Sequence, residues 1–199
     1  MYSQNDEEKI ILDLLKDQPV GRLLDIGAFD GKTFSNSLAL FEKGWSGIVV
    51  EPNPESLVAL IKLHGQNPKV KIVGALVSPK AGLTKMYTCS DAVSTTNASY
   101  TPMWESIGVK FQPVWFPPVH PGELVYGETF DFITLDVEDG TLDLVQNMLG
   151  AFSQCKVACV EHSVGTNVIK KELCDIFQRQ LGFSLEHETS ENYIFAKRR

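Results

Sequence analysis

The sequence predicts an α/β fold, a mainly parallel sheet with helices on both faces. Three observations lead there. Helical and strand hydrophobic periods alternate along the chain. The first strand runs into the turn Asp25-x-Gly27-x-x-x-Gly31, and carboxylates close the first, second and fourth sheet segments at Asp25, Glu51 and Asp136. Strands joined through helices are linked by right-handed crossovers, and an open sheet of this kind binds ligands beyond the carboxyl ends of its strands.

Taken in order, residues 7–16 read as a helix with Ile10, Ile11, Leu14 and Leu15 on one face. Arg22–Ile26 is a short strand ending at Gly27. Residues 32–43 carry Phe34, Leu38 and Phe41 at helical spacing, and 47–51 form the next strand. Pro54 can open a helix at its first turn, with Leu57, Leu60, Ile61 and His64 as the inner stripe. Residues 70–77 and 130–136 read as strands. Leu142, Val145, Met148, Leu149 and Phe152 stripe one following helix. Residues 156–161 are a strand, 166–181 a helix, and 183–187 with Asn192–Lys197 a closing hairpin.

Residues 88–128 break this rhythm. They hold Tyr100, Trp104, Phe111, Trp115 and Phe116 among five prolines, with no clear period. A long irregular segment in a compact domain is either a surface loop anchored by its aromatics or a lid over a substrate.

The length of 199 residues suits a single domain, residues 1–199. The net charge of −7 argues against a broad nucleic-acid surface. No apolar run is long enough to span a membrane, and the acidic, amphipathic start lacks the features of a signal peptide. Cys89, Cys155, Cys159 and Cys174 form no C-x-x-C pair, so they are expected to be reduced thiols of a cytoplasmic protein.

The turn LLDIGAFDGKT selects its ligand by charge. A pyrophosphate seeks backbone N–H groups and a helix N-terminus, and Asp25 and Asp30 would repel it. S-adenosylmethionine carries an ammonium and a sulfonium and no phosphate, so an acidic loop suits it. Glu51 follows at the end of IVVE, where a carboxylate can accept both ribose hydroxyls of either NAD or S-adenosylmethionine. The structural alternatives are a strand-to-helix turn with solvated acids and a strand-end acid before a Pro-Asn turn.

Together these motifs resemble the FkbM-type family of S-adenosylmethionine-dependent methyltransferases, from about residue 20 to residue 197. LLDIGAFDGKT is similar to the first motif, GIVVEPNPESLVAL to the second-strand motif, and VKIVGALVSPKAGLTKMY to the strand, turn and strand that follow. FDFITLDVEDG resembles the Asp-Val-Glu-Gly signature, with Asp139 interposed before Gly140. KVACVEHS and NYIFAKR fit the last strands. The resemblance implies a Rossmann-like class I methyltransferase sheet of seven strands with the last reversed. It implies methylation of oxygen on saccharides or other small hydroxylated acceptors. By position, Asp25, Gly27, Phe29, Asp30 and Gly31 would line the methionine side of the cofactor. Glu51 would hold the ribose with Asn53 nearby, and Ala75 and Leu76 would lie by the adenine.

An alcohol acceptor must lose a proton, which a positioned carboxylate or histidine can take. Asp136 is assigned to positioning, and Glu138 or His162 to the base. Glu138 and Asp139 can also be read as acids at a helix start, and His162 as a satisfied polar residue. Asp136, Glu138, Asp139, Glu161 and His162 offer ligands for a divalent metal, but proximity in sequence does not establish coordination and no metal site is assigned. Two other functions fit the same pattern, a NAD-linked oxidoreductase and a non-catalytic cofactor-binding module.

Overall fold

The computed structural model describes residues 1–162 and 167–198. Its centre is a seven-stranded sheet. Strands β1 (Arg22–Ile26), β2 (Ser46–Val50) and β3 (Val70–Val73) run outward in one direction. The chain then returns to place β6 (Phe132–Leu135) beside β1, and β7 (Val157–Glu161) beside β6, all parallel. The hairpin of β8 (Phe183–Glu188) and β9 (Asn192–Lys197) completes it, with β9 inserted antiparallel between β7 and β8. The order β3-β2-β1-β6-β7-β9-β8 puts the switch point between β1 and β6. This is the expected mainly parallel seven-stranded sheet with a reversed last strand.

The interior strands are apolar on both faces because helices cover both, as parallel sheets require. One face buries Leu24, Ile26, Ile133 and Leu135 against Leu144, Val145, Phe152 and Phe177. The other buries Leu23, Val49, Phe132 and Cys159 against Ile11, Leu40 and Leu60. Helix α1 (Glu7–Leu14) lies on this second face, with Ile11 and Leu15 buried and Ile10 and Leu14 half-buried. Cys89, Cys155 and Cys159 are buried and all four cysteines are free, in keeping with the reading as thiols.

Several elements are shorter than the hydrophobic pattern suggests. The helix expected over 32–43 is only α2 (Leu38–Glu42). Asp30 caps the loop before it, accepting from the Lys32 and Thr33 N–H groups, and Phe34 takes φ 58 with its ring exposed. In α3 (Pro54–His64), Asn53 caps the N-terminus by accepting from the Glu55 N–H at 3.1 Å, worth about 1 kcal/mol. Its buried stripe is Ser56, Leu60 and His64, and Ile61 faces solvent. The strand expected over 70–77 ends at Val73, which frees Ala75, Leu76 and Val77 to line a cavity. The single helix expected after β6 is two, α6 (Thr141–Asn147) and α7 (Leu149–Gln154), broken at Met148 (φ −124, ψ 17).

Residues 88–128 contain more order than their composition suggests. Strand β4 (Thr84–Thr88) pairs with β5 (Gln112–Phe116) in a separate antiparallel ribbon. Helix α4 (Thr101–Glu105) lies in the connection between these two strands, and α5 (Pro121–Leu124) follows β5. Two pairings fix the segment: Tyr87 exchanges backbone bonds with Thr95, and Val119 donates to the Leu76 carbonyl at 2.8 Å. Helix α8 (Asn167–Asp175) runs into a π-helical turn over Ile176–Gln180, and the first residue of the helix expected over 166–181 lies outside the described residues.

Candidate active site

The strand ends at the switch point open into a cavity of about 850 Å³, within the range of roughly 300–1,000 Å³ for small-molecule sites. Its floor is built by backbone. Gly27 and Ala28 both donate to the Val50 carbonyl, at 3.0 and 3.1 Å, and Asp136 donates to the Ile26 carbonyl at 2.9 Å. Gly27 has φ +89, and a Cβ there would lie 1.7 Å from the Asp136 carbonyl oxygen, so only glycine fits. Phe29 takes φ 49, a left-handed conformation seldom adopted by a bulky residue.

Of the residues singled out from sequence, Asp25, Gly27, Phe29, Glu51, Ala75, Leu76, Asp136 and Glu138 line this cavity. Asp25 is buried on β1, and its Oδ2 accepts from the Ser37 hydroxyl at 2.6 Å. Burial pushes its carboxyl up to about 6, against the lowering effect of that bond. Glu51 accepts from the Phe29 N–H at 2.9 Å through one oxygen and from the Asn53 N–H at 2.7 Å through the other. Burial still raises it to about 7, with Asp25 adding to the shift. Each Glu51 oxygen keeps a lone pair for a ligand hydroxyl.

Asp136 faces the cavity but is surrounded by protein on its other sides. That burial, followed by repulsion from Glu138, Asp25, Glu7 and Glu191, raises it to about 7. Glu138 is raised to about 7 for the same reason, with Glu191 as its charged neighbour. Asp136 and Glu138 therefore titrate as a pair.

Four of the singled-out residues do not line the cavity. Asp30 is engaged in its own turn with Lys32 and Thr33. Gly31, at φ +80, lets the loop pack on α3, where a Cβ would lie 2.6 Å from Leu60. Asn53 donates to the Cys89 carbonyl at 2.6 Å and to the Ser94 hydroxyl at 3.2 Å, so it ties the segment after β4 to α3. His162 is buried behind the cavity with its ring 4.0 Å from that of Tyr193, and its Nε2 is 3.9 Å from Glu188 Oε1. Burial lowers its pKa.

Sequence reasoning missed Gln4, Asn36 and Glu191, which also line the cavity. They come from the N-terminal segment, the loop before α2 and the β8–β9 turn, and none lies in a motif. From residues 88–128, Tyr100 and Trp104 line it, whereas Trp115 is 59% exposed on the β4–β5 ribbon. Among the described residues, Lys80 is the only lysine or arginine at the cavity wall, and no group of three or more His, Cys, Asp or Glu side chains is placed to hold a metal ion. No helix among the described residues is long and apolar enough to cross a membrane.

Comparison with known proteins adds to this geometry. Residues 25–185 match the model of the methyltransferase FkbM domain. The chain is similar in structure to an FkbM methyltransferase from Methylobacillus flagellatus KT, with TM-score 0.56 and 13% identity over 89% of this chain and 44% of that one. This chain thus spans less than half of that protein. It is similar to a candidate RNA methyltransferase from Pyrococcus horikoshii, with TM-score 0.51 and 15% identity over 96% of this chain and 83% of that one. It is also similar to human methyltransferase 10 domain containing protein, with TM-score 0.52 and 11% identity over 96% and 81%. At these identities the structural likenesses speak for the fold alone. No curated protein matches the chain.

Proposed function

Because the chain belongs to the methyltransferase FkbM domain family, we propose that it is an S-adenosylmethionine-dependent O-methyltransferase acting on a small hydroxylated molecule or saccharide. The observation that carries this reading is the convergence of Asp25, Glu51, Asp136 and Glu138 on one cavity at the switch point.

The residues present fit this cofactor. Glu51 has spare acceptor capacity for ribose hydroxyls, and its position is fixed by the Phe29 and Asn53 N–H groups. Ala75 and Leu76 give the purine an apolar wall. Asp25, held by Ser37, suits an ammonium and would repel a phosphate. That polarity, together with the family, counts against the NAD-linked reading. S-adenosylmethionine supplies an electrophilic methyl carbon on a sulfonium, which leaves as a neutral thioether.

The chain's own contribution is to hold the acceptor in line and take its proton. Asp136 leaves β6 next to Gly27 and orients the acceptor hydroxyl. Glu138, raised toward neutrality, takes the hydroxyl proton as the oxygen–carbon bond forms. His162 sits behind the wall and is a weaker choice for base. Tyr100 and Trp104 of the 88–128 segment cover the acceptor side as a lid, and their faces suit a sugar ring. The acidic wall also speaks against a polyanionic acceptor such as RNA.

The test is transfer of labelled methyl from S-adenosylmethionine to a panel of sugars and small alcohols. Label on an acceptor oxygen supports the reading. Cofactor binding with no transfer to any hydroxyl would favour the non-catalytic module.

A further inference from the structure

The segment before α1 is built into the cavity wall. Its anchor is Glu7, a fully buried acid at the start of α1. Glu7 Oε1 accepts from the Asn5 amide at 3.0 Å, the Thr189 hydroxyl at 2.7 Å and the Asn192 amide at 3.3 Å. Its Oε2 accepts from the Asn5 backbone N–H at 2.8 Å. Burial would raise this carboxyl, but the bonds from Asn5 and Thr189 hold it below its ordinary value. A buried carboxylate with this many donors is costly to disturb.

The other anchor is Ser3. Its hydroxyl donates to the Asn5 carbonyl at 3.0 Å and accepts from the Glu8 N–H at 3.1 Å. Ser3 also forms a parallel bridge with Phe34. Gln4 is therefore held between two fixed neighbours and laid along the loop before α2. Gln4 and the loop residues Phe34, Ser35 and Asn36 all line the cavity. This is the Asp25 end, because Ser37 of the same loop donates to Asp25 at 2.6 Å.

The methionine end of the methyl donor carries a carboxylate as well as an ammonium. Asp25 suits the ammonium. The carboxylate needs N–H or O–H donors, and most of those in the loop are committed. The Ser37 proton goes to Asp25, and the Thr33 hydroxyl donates to Asp30 at 2.7 Å. Ser35 Oγ accepts from the Ser37 and Leu38 N–H groups and stands 3.4 Å from Ser37 Oγ. The N–H groups of Gly27 and Ala28 bond to Val50, that of Phe29 to Glu51, and those of Lys32 and Thr33 to Asp30. Lys80, the only lysine or arginine at the wall among the described residues, follows Ala75 and Leu76 on the stretch assigned to the purine. Asn36 is buried in the loop, whereas Gln4 is exposed, and its amide makes no hydrogen bond among the described residues.

We propose that Gln4 binds the α-carboxylate of S-adenosylmethionine through its side-chain amide, as a cofactor-binding residue supplied from outside the sheet motifs. This rests on the S-adenosylmethionine-dependent reading and adds a recognition element to it. The neutral amide suits the place, since it donates to the carboxylate without drawing the nearby Asp25 into an ion pair that would compete with the ammonium.

The test uses the full chain and calorimetric binding of two ligands, S-adenosylhomocysteine and the same molecule without its carboxylate, which keeps the ammonium and the nucleoside. Gln4→Ala should weaken S-adenosylhomocysteine by about tenfold and leave the decarboxylated ligand within about twofold. Gln4→Glu, which sets a like charge against the carboxylate, should weaken S-adenosylhomocysteine further and should not weaken the decarboxylated ligand. Gln4 is exposed, so both variants should keep the fold, which circular dichroism checks. Equal weakening of the two ligands, an unchanged affinity for S-adenosylhomocysteine, or a wild-type chain that binds both ligands equally overturns the proposal. A wild-type chain that binds neither would instead overturn the methyltransferase reading beneath it.

Discussion

Gly27 and Asp136 meet across the switch point so closely that a Cβ on Gly27 would stand 1.7 Å from the Asp136 carbonyl oxygen. The contact fixes the end of β1 against the end of β6 and so sets the spacing between the loop assigned to the cofactor and the acid assigned to the acceptor. Gly27→Ala must displace backbone and also take φ +89. The expected loss of stability is about 3 kcal/mol or more, read by denaturant unfolding, together with loss of S-adenosylmethionine binding. A stable Gly27→Ala protein that binds normally would contradict this role.

Glu51 is expected to account for much of the cofactor affinity. Removing a charged acceptor of two ribose hydroxyls costs about 1.5–3 kcal/mol, so Glu51→Ala should weaken S-adenosylmethionine binding by roughly 10- to 100-fold. Calorimetry reads this directly, and circular dichroism checks that the fold survives the loss of the bonds to Phe29 and Asn53.

The cavity acids make the ligand-free protein sensitive to pH. Asp25 is raised to about 6, and Glu51, Asp136 and Glu138 to about 7. Between the ordinary carboxylate range and these values the folded chain binds protons that the unfolded chain does not. This stabilisation is therefore present at low pH and is lost as pH rises through about 6 to 7. Thermal melts of the ligand-free protein should show Tm falling over that interval. Asp30 and Glu7 shift the other way, held low by hydrogen bonds despite burial, and so act below it, as pH falls. Binding of the cationic donor should release protons, seen as a binding enthalpy that varies with buffer. A Tm that rises across the same interval would refute the assignment.

The base assignment predicts different outcomes for two variants. Glu138→Gln should lower kcat by about 10²- to 10⁴-fold with cofactor affinity kept. His162→Gln should cost stability, since the ring is packed on Tyr193, but kcat of the remaining folded protein should stay within a few-fold. The reverse pattern would move the base to His162.

The sheet was legible in the sequence because strands buried on both faces are marked by continuous apolar runs, as in Ile48–Val50 and Val157–Val160, and their ends by carboxylates. Helix bounds were less legible. Phe34 fits the helical period of Leu38 and Phe41, but the Asp30 turn competes for the same backbone N–H groups, and the loop bends instead. Ile61 fits the stripe of α3 but lies on its outer side, because the N-cap at Asn53 and burial of Ser56 set the helix rotation. Within the site, Asp25, Glu51 and Asp136 were readable because topology places strand ends together. Glu191 and Asn36 were not, since only the packing of α1 on the β8–β9 turn and the coiling of the loop before α2 bring them to the cavity.

The central claim is tested most directly by calorimetric titration of the purified chain with S-adenosylmethionine and, separately, with NAD. Saturable one-site binding of S-adenosylmethionine, weakened in Glu51→Ala, and no binding of NAD are expected. Binding of NAD without binding of S-adenosylmethionine would contradict it.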